Sequence, residues 1–75
     1  MDKLITRLSS AYQDHYSRML MYAQKFNLPF IKEDIPEFLE IWESNKEFSI
    51  TLVLDNVEIH RVQLTVHQMS LAFAS

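Results

Sequence analysis

Three histidines, His15, His60 and His67, are the side chains of this chain best suited to proton transfer or metal binding. On a regular strand His60 would share a face with Glu58, and His67 could approach both, a conceivable His-His-Glu zinc set. The spacing matches no well-specified metal motif, so a solvated surface is the expected setting of all three. His15 instead falls inside an apolar arc between Leu8, Tyr12 and Met19. There a histidine bonded to a tyrosine or a backbone group, in the core or at an interface, is expected. Nucleophilic catalysis needs a hydroxyl beside a base, with donors for the developing oxyanion. Ser9, Ser10, Ser44 and Ser49 carry no local pattern of that kind.

The chain holds neither glycine nor cysteine. Phosphate-cradling loops, dinucleotide-binding turns and nucleophile elbows need a residue without Cβ where the backbone bends sharply beside a ligand. Thiolate chemistry and cysteine-ligated zinc are excluded outright. The expectation is a protein that is not an enzyme and uses no cofactor and no metal.

Charge is more informative, because it is segregated along the chain. Residues 1–32 carry five basic side chains against two acidic ones, residues 33–47 six acidic against one basic, and the whole chain has a net charge of −3. Placed on a helix, Glu37, Glu40, Glu43 and Glu47 fall on the arc opposite Phe38 and Trp42, a face suited to docking a partner with a basic surface. Arg7, Arg18 and Lys25, flanked by Lys3, make a basic row on the first segment, interrupted by Asp14. Without interleaved aromatics, and on an acidic chain, that row makes nucleic acid an unlikely partner.

The elements that would position these groups follow from hydrophobic period. Leu4, Ile5, Leu8, Ala11, Tyr12, Tyr16, Met19, Tyr22, Ala23 and Phe26 have helical spacing, which predicts a long N-terminal helix over about 2–26. Pro29 follows its end. Asp34-Ile35-Pro36-Glu37 has the pattern of a capped helix start, which predicts a short acidic helix over about 34–45. The period then changes to two. Strands at about 48–54 and 57–65 would form an antiparallel β-hairpin closed by Asp55-Asn56. A strictly regular second strand would turn Arg61 and Gln63 toward the apolar side, so a β-bulge near His60-Arg61 is expected to return Val62 and Leu64 to it. Thr65 and Gln68 make a capping-box pattern ahead of a short C-terminal helix, with a strand as the alternative.

The expected fold is thus α+β, one small domain over 1–75 with both helices on one sheet face. At 48% apolar residues it is too rich for disorder, yet close to the lower size limit for a self-sufficient core, so a homodimer is expected. Met19, Leu20, Met21 and Tyr22 point all round a helix and are the expected contact girdle. No apolar run is long enough to cross a membrane, and the N-terminus does not read as a signal peptide, so the cytoplasm is the default location. The functional expectation is a protein-binding module: an adaptor, small chaperone or inhibitor, as in phage and mobile-element systems. The alternative is a small dimeric nucleic-acid-binding regulator using the basic row.

Overall fold

The computed structural model describes residues 2–29 and 35–73. The order of elements is β1 (Lys3–Ser9), α1 (Gln13–Lys25), β2 (Phe38–Ser44), β3 (Glu47–Leu54), β4 (Val57–Thr65) and α2 (Val66–Phe73). The strands form one antiparallel sheet in the order β1-β2-β3-β4.

The α+β class stands, but the architecture differs from the sequence expectation in three places. There is no long N-terminal helix over 2–26: its first third is strand β1, and helix begins only at Gln13. The cause is local. The Ser9 hydroxyl accepts the Ala11 N–H at 3.2 Å, and the Tyr12 N–H bonds the Ser9 carbonyl at 3.2 Å, turning the chain just where a helix would have to continue. Nor is there an acidic helix over 34–45, because Phe38–Ser44 is strand β2. Paired on both sides, β2 satisfies its backbone with β1 and β3 and buries Leu39 and Ile41, which outweighs the helix preference of its glutamates. Asp34, the expected cap, lies outside the described residues. Finally, the hairpin is the β3–β4 half of a four-stranded sheet and does not stand alone.

Other local readings are realised. Asp55 and Asn56 close the β3–β4 hairpin with φ of 54° and 61°, both in the left-handed region that a two-residue turn of this kind requires. The β2–β3 turn repeats the device with Asn45 and Lys46 at 47° and 66°. A bulge interrupts β4 at Ile59, one residue before the expected position: Val53 pairs with Glu58 but Leu52 with His60. Its effect is the expected one, setting Val62 opposite Ile50 and Leu64 opposite Phe48 on the core side. The capping box before α2 is reciprocal, with Gln68 N–H donating to Thr65 Oγ1 at 3.1 Å and Thr65 N–H to Gln68 Oε1 at 2.8 Å.

Helix α1 stops near the expected residue in a Schellman turn. Asn27 takes φ 55°, Leu28 N–H reaches the Ala23 carbonyl at 2.9 Å, and the buried Leu28 side chain follows. Met19 and Ala23 from α1, and Met69 from α2, meet Leu8, Leu39, Ile41, Ile50 and Leu52 in one core. These strand residues belong to one alternation phase, so both helices cover the same face. Full burial of an aliphatic side chain such as Leu39, Ile50 or Leu52 contributes about 1.5–3 kcal/mol. The opposite face has no helix over it among the described residues.

Candidate functional site

The uncovered face is built by the alternate residues of the four strands. One row crosses the whole sheet: Arg7 is opposite Glu40, Glu40 opposite Thr51, and Thr51 opposite Arg61. The row above it aligns Ser9, Phe38, Val53 and Glu58, and the row below sets Trp42 beside Ser49 and Gln63. Successive strands lie about 4.8 Å apart, so Arg7 and Arg61 stand roughly 14 Å apart and frame the aromatic centre of the face.

Glu40 organises one side of that frame. Its Oε2 receives Arg7 Nε at 3.1 Å, and its Oε1 accepts the Trp42 indole N–H at 3.2 Å. The same guanidinium lies 3.9 Å from the centroid of the Phe38 ring, so one arginine is held by a carboxylate and an aromatic face together. On the other side Arg61 meets Glu58 through Nε at 2.8 Å and Nη2 at 2.9 Å, a two-point contact. Both arginine side chains remain about half exposed, 49% and 48%, so each pair contributes only about 0–1 kcal/mol to stability and mainly holds its side chains in place. Thr51, between them, is 2% exposed although no described helix lies over this face.

The sequence-level candidates scatter on this frame. Glu40 and Glu47 lie on the uncovered face, Glu43 lies on the helix side opposite Phe48, and Glu37 precedes β2 with its N–H bonded to the Val53 carbonyl at 2.7 Å. The four therefore form no common acidic stripe, because a strand alternates faces where a helix would have aligned them. The Met19–Tyr22 girdle divides as a helix dictates. Met19 is fully buried and Tyr22 packs on the core, whereas Leu20 and Met21 are 41% and 44% exposed. Leu20 edges a shallow depression with Gln24 and Asn27. The basic row is also broken up, with Lys3 and Arg7 on β1 and Arg18 and Lys25 on α1; Lys25 Nζ donates to the Ala72 carbonyl at 3.0 Å.

The histidine readings separate too. The bulge at Ile59 sends Glu58 and His60 to opposite faces, and no group of three or more potential metal ligands gathers among the described residues. His15 is half-buried; its Nδ1 accepts the Ser9 N–H at 3.3 Å, and its ring meets Tyr12 edge-on at 5.5 Å. It thereby ties the start of α1 to the end of β1, a backbone-bonded role.

Trp42, Phe38 and Arg61 were absent from the sequence-level candidates, and Arg7 and Glu58 stood there only in the basic row and the zinc set. Their signal was present at period two: Phe38, Glu40 and Trp42 alternate with Leu39 and Ile41. Comparison with protein-family models, curated proteins and solved structures finds no match for this chain.

Proposed function

We propose that the chain is a non-enzymatic protein-binding module whose contact surface is the uncovered face of the sheet, acting as an adaptor, small chaperone or inhibitor in the cytoplasm. The observation that carries the reading is Trp42, half-buried at the middle of a face without a covering helix and flanked by the immobilised Arg7–Glu40 and Glu58–Arg61 pairs. The few residues that dominate binding energy at protein interfaces are enriched in tryptophan, tyrosine and arginine. Here the two ion pairs hold side chains that would otherwise have to be ordered on binding.

The depressions on this face are open and shallow, lined by side chains of several strands, which suits a protein surface better than an engulfed small molecule. Asp2 and Glu47 border them, and neither is ion-paired among the described residues. With Arg7 and Arg61 already matched by Glu40 and Glu58, the border leaves an acidic surplus. A partner that offers basic groups around an apolar anchor complements it.

The test is affinity capture with mass spectrometry from the native cell, comparing the unaltered chain with Trp42→Ser, Glu47→Lys and, on the helical layer, Met21→Ser. A partner retained by Met21→Ser and lost from both sheet-face variants, all three variants being folded by circular dichroism, is the expected result. A partner that depends on Met21 and ignores Trp42 would overturn the reading and move the contact to α1.

A further inference from the structure

The sheet has two edges, and they are not equivalent. Edge strand β1 is broken by a bulge at Ile5, which leaves only Lys3–Leu4 and Thr6–Ser9 in register, and it carries Lys3 and Arg7. A central bulge and flanking cations are the usual protection against edge-to-edge pairing. In β4 the bulge at Ile59 sits near the start, so the strand runs in unbroken register from His60 onward. Thr65 ends the available stretch, since its N–H is taken by Gln68. His60–Leu64 therefore presents alternate N–H and C=O groups outward, and no described residue pairs with that edge.

We propose that this edge pairs with the same segment of a second copy, antiparallel about a two-fold axis at Val62, to give one continuous eight-stranded sheet. The five-residue stretch is centred on Val62, and its pattern is compatible with its own rotated image. Antiparallel pairing about Val62 places Val62 against Val62 of the second copy, His60 against Leu64, and Arg61 against Gln63. Arg61 is the single formal charge in the stretch, and it sits off-centre, so the two-fold sets it against a neutral amide instead of a second arginine. Glu58 already compensates it within its own strand. The same operation joins the two uncovered faces side by side, with a Trp42 on each half. Arg61 and Gln63 also belong to that face, but self-pairing needs no foreign partner and partner capture needs no β4 pairing, so either proposal can fail without the other.

Gln63 tests the register, because it lies on the exposed side of the strand and outside the core. Gln63→Lys sets a lysine against Arg61 of the second copy twice over, whereas Gln63→Glu sets a carboxylate there. Sedimentation equilibrium of the whole chain should give a dimer of twice 8.9 kDa. The lysine variant should weaken its dissociation constant roughly tenfold and the glutamate variant should tighten it. Amide exchange should show His60–Leu64 protected in the dimer and released in the lysine variant. A monomer at all concentrations up to about 1 mM, the range of the weakest specific complexes, would overturn the proposal. So would a dimer that both variants weaken alike, since simple disruption of the strand has no charge sign. Protection of 60–64 that requires a different protein would assign the edge to a foreign strand and equally defeat the second copy.

Discussion

Lys46 occupies the second position of a two-residue turn at φ 66°, a conformation that crowds its Cβ against the backbone. Glycine removes the crowding and Asn-Gly is the preferred pair for this turn, so Lys46→Gly should stabilise the chain by about 1 kcal/mol. For a domain of this length that corresponds to a melting point higher by roughly 4–8 °C, read by thermal denaturation. At the same scale Thr65→Ala removes one half of the reciprocal cap on α2 and should cost about 1 kcal/mol. The cap was legible because both partners are three residues apart and need nothing from the rest of the fold. The Arg7–Glu40–Trp42 cluster was not, because Arg7 reaches Glu40 only after β1 and β2 have paired across α1 and the connecting segment.

Among the described side chains of α2 none is fully buried. The helix follows β4 without a loop and is tied by the Thr65–Gln68 cap, by Met69 on the core and by the Lys25 ammonium on its last described turn. Lys25→Met removes a cation favourable at a helix C-terminus, an effect of about 0.3–1 kcal/mol. Amide exchange should accelerate in residues 66–73 while β2 and β3 remain protected; equal acceleration everywhere would show that α2 and the sheet open as one unit. Strands β1 and β2 are the elements misread as helix, for a shared physical reason. Leu4, Ile5 and Leu8, and Phe38, Leu39, Ile41 and Trp42, fit both a helical face and an alternating strand over so short a span. Only the partner strands settle the choice, and those partners are distant in sequence.

At the level of the whole molecule, stability depends on a small core shared by every element. Ile50 is fully buried at its centre, and Ile50→Ala should cost about 2–5 kcal/mol through lost contacts and the cavity left behind. For 75 residues the total is of order 4–11 kcal/mol, so a urea titration of that variant should show a midpoint near half the original or lower. A β4–β4 dimer would add to this reserve by mass action. The melting temperature of the unaltered chain should then rise with protein concentration, and that of Gln63→Lys should show the same rise only at about tenfold higher concentration.

By itself the sequence determined the features whose chemistry closes within a few residues: the Asp55-Asn56 turn, the register correction in β4, the end of α1 and the cap of α2. In each the donor, the acceptor or the left-handed backbone position is local, so composition and spacing suffice. Tertiary structure alone decided that Lys3–Ser9 and Phe38–Ser44 are strands, and with that decision it divided the glutamates between two faces and brought Trp42 out of the core. A strand completes its hydrogen bonds with residues far along the chain, and a shift from period 3.6 to period 2 reassigns every side chain it carries.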